Sequence, residues 1–362
     1  MNEIFYSING KNYSKEALLA WCNKQIVGEE LAWEGDIAQF ILAWFTNSVT
    51  ISIQTSGTTG SAKHIELNKN SMLASAILTN GFFDIDETKN ALLCIPAKYI
   101  GGKMMILRWL LSGCNLVITK PSASPLDNID VKIDFCPMVP LQVEHSLEKQ
   151  FAKFKDIKNI IIGGAPISHQ LETHLSSLKQ NIYATFGMTE TASHIALKKL
   201  TGGNKSNSFE AMPGVTFELS KKQESLRCLV INAKHINTKP FITKDIVELV
   251  DENTFVWKGR YDNIINSGGV KINPEEIEKE ISKHLEGNFF LGGIPDDKLG
   301  EKLILVIESD QKVSDEQSLL DTLKEQLPLY NSPREIHYLQ SFSRTVTGKI
   351  MRKACLEKIN SK

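Results

Sequence analysis

The sequence predicts an α/β protein. A large N-terminal domain with mostly parallel, helix-covered sheets carries a small β subdomain and is followed by a small C-terminal α+β domain. Three observations point there. From about 48 to 200, short β-rich runs alternate with segments whose apolar residues recur at helical spacing, the pattern of a parallel sheet buried on both faces. From about 210 to 258 the helical period fades and strand-like runs follow one another. The 362 residues exceed what one small core organises, so two domains are expected.

The expected strands of the first region are SVTISIQ (48–54), ALLCI (91–95), NLVIT (115–119), DFCPMV (134–139) and NIIIG (159–163). Segments 69–81, 102–112 and 168–179 are the helices between them. In such sheets ligands sit beyond the carboxyl ends of the strands, and the segment at 55–63 directly follows one. VTFEL (215–219), RCLVI (227–231), DIVELV (245–250) and TFVWKG (254–259) form the β subdomain. After 263 the pattern resets to strand, helix, strand, strand, helix, strand, helix. One helix start is marked by Asn273 as cap, Pro274 at its first position, and Glu275 and Glu276 at the positive end of its dipole. The domain boundary is placed at 262, giving domains 1–261 and 262–362.

The bulk composition excludes several functions. Lys plus Arg total 41 against 42 Asp plus Glu, a net charge of −1. That leaves no general footprint for nucleic acid or anionic lipid, so an anionic ligand needs a local site. The six cysteines are scattered, with no CxxC pair, and suit a reducing compartment rather than zinc or disulfides. The first residues lack a basic head followed by an apolar run, and the most apolar stretch, 91–119, is broken by Lys98, Gly101, Lys103 and Arg108. A cytoplasmic protein without membrane spans is expected.

The segment Thr55-Ser56-Gly57-Thr58-Thr59-Gly60-Ser61-Ala62-Lys63 puts five hydroxyls, two glycines and a lysine into nine positions. Glycines let successive backbone N–H groups converge on an anion, hydroxyls add donors, and the lysine adds charge. The reading is a phosphate loop. It is not a Walker loop, because Gly57 and Gly60 are too close and His64 follows Lys63. A flexible Ser/Thr/Gly linker is the alternative.

Four further strings follow in order: GGAP at 163–166, FGMTETAS at 186–193, GRYDNIINSGGVKINPEEIE at 259–278 and SRTVTGK at 343–349. Together with TSGTTGSAK they resemble the motifs of the adenylate-forming superfamily of acyl-CoA synthetases, luciferases and peptide-synthetase adenylation domains. The resemblance runs from about 50 to the C-terminus. It implies Mg²⁺ and ATP, a carboxylic acid, and coenzyme A as the second co-substrate. It gives Thr55, Ser56, Gly57, Thr58, Thr59, Gly60 and Lys63 the ATP phosphates. Gly163, Gly164, Ala165 and Pro166 become the adenine wall, with Phe186 as stacking partner and Gly187 beside it. Thr189 resembles the hydroxyl on the α-phosphate, and Glu190 the Mg²⁺ ligand. Asp245 and Arg260 resemble the ribose contacts. Asp262 falls at the hinge of a mobile C-terminal domain. The Ser267-Gly268-Gly269 loop faces the CoA channel in one arrangement, or is an ordinary hairpin turn. Lys349 resembles the catalytic lysine bridging the substrate carboxylate and the α-phosphate; otherwise it is one of a solvated basic cluster with Arg352 and Lys353.

The sequence departs from the family pattern at Ala62, His64, Lys244 and Ser343, and only 54 residues precede the phosphate loop. That leaves homodimer formation open. GMTETASHI (187–195) and YIGGKMMILRWL (99–110) are similar to segments of the o-succinylbenzoate–CoA ligase subfamily, with Tyr99 where histidine is common. Those substrates carry a second carboxylate. Arg108 is the candidate to receive it, or else a structural ion-pair residue. His194 is a further candidate, or a hydrogen-bonded core histidine. Ligases of fatty or other aromatic acids, carrier-loading enzymes and a non-catalytic nucleotide binder are the competing expectations.

Overall fold

The computed structural model describes residues 4–27, 32–54, 64–203, 205–220, 226–345 and 348–361. The phosphate-loop segment 55–63 therefore lies outside the described residues. The chain divides into two compact units, Met1–Thr216 with Ala233–Pro240, and Phe217–Asn232 with Phe241–Lys362. Position 262 falls inside the second unit.

The first unit contains β1 (Tyr6–Ile8), β2 (Lys11–Tyr13), α1 (Lys15–Val27), α2 (Ala32–Trp44), β3 (Thr50–Gln54), β4 (His64–Asn68), α3 (Lys69–Phe83), β5 (Asn90–Leu93), α4 (Ile100–Ser112), β6 (Asn115–Ile118), β7 (Phe135–Met138), α5 (Pro140–Lys149), α6 (Phe151–Phe154), β8 (Asn159–Ile162), α7 (His169–Ser176), β9 (Asn181–Gly187), β10 (His194–Lys199) and β11 (Phe209–Ala211). Its main sheet runs β11-β10-β9-β8-β7-β5-β6-β1-β2. The β1, β6, β5, β7, β8 and β9 pairings are parallel, as the apolar runs predict, while β10 returns antiparallel to β9. Alternate residues serve the two faces. Leu92, Cys94, Cys136, Met138, Ile160, Ile162 and Ile182 pack with Val143, Phe154, Leu171 and Leu175 of α5–α7. On the other face Phe83 at the end of α3 meets Phe135 and Tyr183, with ring centroids 5.1 and 5.6 Å apart.

One strand differs from expectation. β3 does not join the parallel sheet. It pairs antiparallel with β4 in a separate two-stranded sheet, Ile51 opposite Leu67 and Ile53 opposite Ile65. Its burial explains why: Ile51 and Ile53 are buried while Ser52 between them is exposed, the one-sided alternation of an antiparallel strand rather than of one covered on both faces.

The second unit contains β12 (Val215–Leu219), β13 (Cys228–Ala233), β14 (Phe241–Asp251), β15 (Thr254–Arg260), β16 (Ile265–Ser267), β17 (Val270–Ile272), α8 (Pro274–Ile281), β18 (Phe289–Asp296), β19 (Gly300–Glu308), α9 (Glu316–Gln326), β20 (Glu335–Leu339) and α10 (Arg352–Asn360). β13, β14 and β15 pair antiparallel, and Phe217 and Phe255 meet edge to face at 4.8 Å. β16–β20 form a five-stranded sheet. β19 reads GEKLILVIE and is buried on both faces. Leu303, Leu305 and Ile307 pack with α8 and α9, and Ile304 and Val306 with Phe290, Phe342 and Cys355 of α10. A Cβ at Gly292 would lie 2.6 Å from the Leu356 side chain of α10, which would have to shift to admit it.

Helix α8 starts where the Asn-Pro-Glu-Glu signature places it, but Asn273 makes no capping hydrogen bond. Its amide donates to the Lys258 carbonyl of β15 at 3.1 Å and to Glu276 at 3.2 Å. The competing main-chain acceptor draws the side chain away from the helix. Among the described residues, no helix is long and apolar enough to cross a membrane.

Candidate active site

In the first unit the motif residues gather at the carboxyl ends of two neighbouring parallel strands. The GGAP turn follows β8 immediately. Gly163 closes it by donating its N–H to the Met138 carbonyl at 3.1 Å, and a Cβ there would lie 2.5 Å from the Thr185 hydroxyl of β9. Gly164 adopts φ 86°, a conformation that costs other residues energy. Ser168 then caps α7 by accepting from the Leu171 N–H at 3.1 Å. β9 ends in Phe186-Gly187. A Cβ at Gly187 would meet the Ser193 carbonyl at 2.3 Å, so the chain can turn back into β10 only over glycine. Thr189 and Glu190 lie in the 3₁₀ turn Thr189–Thr191 between these strands. Glu190 is exposed and Thr189 half-buried. Phe186 is half-buried and packs on Phe209, with ring centroids 5.7 Å apart.

Arg108 lies on α4, whose residues Met104–Trp109 are all buried, and is itself 2 % exposed. No carboxylate pairs with it among the described residues. Its Nη2 donates to Ser193 Oγ at 2.8 Å, and its Nε is buried without a partner. The bond to Ser193 ties α4 to the turn that carries Thr189 and Glu190. Burial pushes the guanidinium pKa down to about 9, still high enough to keep the charge at neutral pH. His194 is buried beside it, and both ring nitrogens are engaged, with Ser193 Oγ at 3.3 Å and Thr79 Oγ1 at 3.3 Å. Burial first, then the Arg108 charge, push its pKa down to about 3. Tyr99 stands half-buried at the start of α4 and makes no side-chain capping bond.

A second constellation forms within the second unit. Asp245 on β14 and Arg260 on β15 are cross-strand partners. The buried Asp245 accepts from Trp257 Nε1 at 3.0 Å and from Arg260 Nη1 at 3.5 Å. Arg260 reaches Asp262 through Nη2 at 3.5 Å, and the exposed Lys244 pairs with Asp262 at 2.7 Å. Lys349 is half-buried, next to Ile350, which pairs with Arg344 in an isolated antiparallel bridge. The Met351 N–H donates to the Ser343 carbonyl at 2.8 Å, and the Lys349 N–H to Thr345 Oγ1 at 3.1 Å. Burial lowers the Lys349 ammonium pKa from its ordinary range. Arg260 lowers it further, and Asp245 and Glu275 oppose this.

Arg352, whose charge also lowers the Lys349 pKa, has partners of its own. Arg352 forms a bidentate pair with Glu278 at 2.7 and 2.8 Å, and Glu278 also accepts from the Leu291 N–H at 2.7 Å. The Ser267-Gly268-Gly269 loop turns the β16–β17 hairpin, with Gly268 at φ 60° and Gly269 at φ 81°, the two positive values of a type I′ turn. Trp257, Ser193 and Arg352 carry contacts that no sequence motif announced.

The family model for AMP-binding enzymes matches residues 43–219. A solved structure described as an acyl-CoA synthetase (AMP-forming)/AMP-acid ligase II-like protein from Dyadobacter fermentans is 32% identical. The match covers 94% of this chain and 97% of that one, with a TM-score of 0.60. The chain belongs to the AMP-binding enzymes. A 2-succinylbenzoate–CoA ligase of Staphylococcus epidermidis is 28% identical over 331 residues, 84% of this chain and 69% of that protein. The O-succinylbenzoate coenzyme A synthetase of Bacillus subtilis, solved with ATP and magnesium, shares the fold at TM-score 0.71 and 22% identity, covering 83% of this chain and 68% of that one.

The residues suit magnesium. Among the described residues no three His, Cys, Asp or Glu side chains converge as a protein cage, and Glu190 offers one exposed carboxylate. A single hard oxygen donor is what Mg²⁺ takes from protein when phosphates and water supply the rest.

Proposed function

We propose that the chain is an ATP-dependent acid–CoA ligase that forms an acyl-adenylate and then an acyl-CoA thioester. The preferred acid is o-succinylbenzoate, as used in menaquinone biosynthesis. The observation that carries the substrate half is Arg108, a buried cation with no anion beside it among the described residues, tied through Ser193 to the turn bearing Thr189 and Glu190. A buried unpaired charge is costly, and a second carboxylate on the substrate would offset that cost. The names of the curated relatives point to the same acid.

The chemistry follows from charge. Attack of a carboxylate on the α-phosphate concentrates negative charge, and a positioned ammonium stabilises it; Lys349 fills that role. Its depressed pKa reflects a partly desolvated site, where electrostatic stabilisation acts more strongly than in water. Thr189 binds the α-phosphate. Asp245, its carboxylate fixed by Trp257 and Arg260, accepts from the ribose hydroxyls. Gly163, Gly164, Ala165 and Pro166 lie against adenine with Phe186. Thr55, Ser56, Gly57, Thr58, Thr59, Gly60 and Lys63 hold the phosphates. Glu190 would hold Mg²⁺, which would supply charge neutralisation at the phosphates. Rotation about Asp262 brings Ser267, Gly268 and Gly269 toward the CoA thiol for the second half-reaction. Tyr99, Arg108 and His194 border the acyl site.

The test is to incubate the enzyme with Mg-ATP and a panel of acids, follow pyrophosphate release, then add CoA and weigh the product. Release with o-succinylbenzoate followed by a thioester mass is expected. Release without thioester contradicts the ligase reading, and release with every acid but this one contradicts the substrate.

A further inference from the structure

The surroundings of Arg108 have a direction that can be worked out atom by atom. A guanidinium only donates, so Ser193 Oγ must accept from Arg108 Nη2 at 2.8 Å. The Ser193 proton is then free to point at His194 Nδ1, 3.3 Å away. At the other end, Thr79 Oγ1 donates its single proton to the Ser75 carbonyl at 3.0 Å, one helical turn back. Its oxygen can then only accept from His194 Nε2 at 3.3 Å. Both ends therefore demand the same ring: a neutral imidazole with its proton on Nε2 and an acceptor at Nδ1. The chain runs without conflict from Arg108 through Ser193 to His194, and from His194 through Thr79 to the α3 backbone. Asn80, next to Thr79, donates to the Arg108 carbonyl at 2.9 Å and binds α3 to α4 at the same level.

Among the described residues no carboxylate neutralises Arg108. Hydroxyls and a neutral ring orient the guanidinium but leave its charge available, whereas a carboxylate in place of Ser193 would cancel it. We propose that Ser193, His194 and Thr79 form a hydroxyl–imidazole relay that aims Arg108 at the second, unreacting carboxylate of a dicarboxylate substrate. His194 acts as a positioning residue and not as a substrate contact. The assignment rests on the ligase reading above and deepens it. It gives the enzyme a preference for dicarboxylates set by side chains on three separate elements.

The experiment compares ATP–pyrophosphate exchange with o-succinylbenzoate and with the same acid lacking the carboxylate that is not activated. Wild-type protein is measured beside Ser193→Ala, Thr79→Val and the conservative Ser193→Thr. Losing the oriented partner of a charged donor should raise KM for the dicarboxylate about tenfold or more, with kcat little changed. The preference over the monocarboxylate should shrink in proportion, and Ser193→Thr should restore most of it. An unchanged preference in Ser193→Ala, or equal loss with both acids, overturns the relay. Nitrogen-15 NMR of the His194 ring reads the same device without turnover. Nε2–H with an unprotonated Nδ1 is expected in the wild type, and Nδ1–H overturns it. A wild-type enzyme that activates no dicarboxylate overturns the ligand assignment together with the functional reading. One that does so, with the preference intact in both alanine and valine variants, overturns the relay alone.

Discussion

Arg108 is buried and Arg352 half-buried, and their surroundings are opposites. Arg352 meets Glu278 through two parallel bonds, has Glu275 at 3.7 Å, and stacks over Phe290. Burial acts to lower its pKa, and the two carboxylates outweigh that and hold it above the ordinary arginine value. Among the described residues Arg108 has one hydroxyl, no acid and an orphaned Nε, and burial alone pulls it down to about 9. One arginine is complete within the protein and serves its architecture. The other, on the proposed function, is completed by the second carboxylate of the substrate. The comparison shows that burial of a charge does not by itself reveal its purpose; the identity of its partner does.

That contrast can be strained from several sides. The largest effect concerns what Arg352 supports. It sits three residues after Lys349, at the start of α10, and bonds Glu278 of α8 and the Leu291 carbonyl of β18. Lys349→Ala should lower acyl-adenylate formation about 100-fold to 1000-fold, the scale of a lost transition-state donor. Thioester formation from pre-made acyl-adenylate should be largely spared and the denaturation midpoint nearly unmoved. Equal loss of both half-reactions would remove Lys349 from the first step. Arg352→Met, by contrast, should cost about 1–3 kcal/mol of stability, because it leaves the half-buried Glu278 without its cation and with only the Leu291 N–H as donor, and adenylation should fall with it. Denaturant titration of the second unit's signals measures this. Unchanged stability would mean the Glu278 pair is not the structural member of the comparison.

A smaller effect separates His194 from an ordinary surface histidine. Its folded-state pKa of about 3 lies below the ordinary 6.5. The neutral ring therefore contributes stability that is fully present above about 6.5 and is lost as pH falls toward 3. The unfolded chain takes up a proton over that window and the folded chain does not. Between pH 7 and pH 4.5, wild-type stability should fall more steeply than that of His194→Gln. Parallel slopes would show that His194 titrates normally and would break the neutral-ring argument.

Much of this was legible in sequence because motifs record local geometry. Gly163, Gly164 and Gly187 are glycine for reasons visible in the turns they make, and the parallel strands announced themselves as unbroken apolar runs such as NIII. Chain-distant partners were not legible. Glu278 meets Arg352 across 74 positions, and Thr79 meets His194 across 115. Nothing in the spacing of either pair marks them. Trp257 lies only 12 residues from Asp245, yet strand periodicity alone does not tell which indole will face which carboxylate. The β3–β4 hairpin was missed although its alternating Ile-Ser-Ile was present, because a short apolar strand reads alike in either kind of sheet. Lys244 was visible only as an unusual residue; its pairing with Asp262 emerged from the fold.

The most direct measurement replaces Arg108 with methionine and records two quantities on the same protein, stability without ligand and kcat/KM for o-succinylbenzoate against its monocarboxylate counterpart. If Arg108 is an anion site left open, removing its charge should leave stability equal or higher, while the preference for the dicarboxylate falls about 10-fold to 100-fold. A variant that is destabilised like Arg352→Met yet keeps its preference for the dicarboxylate would contradict the account.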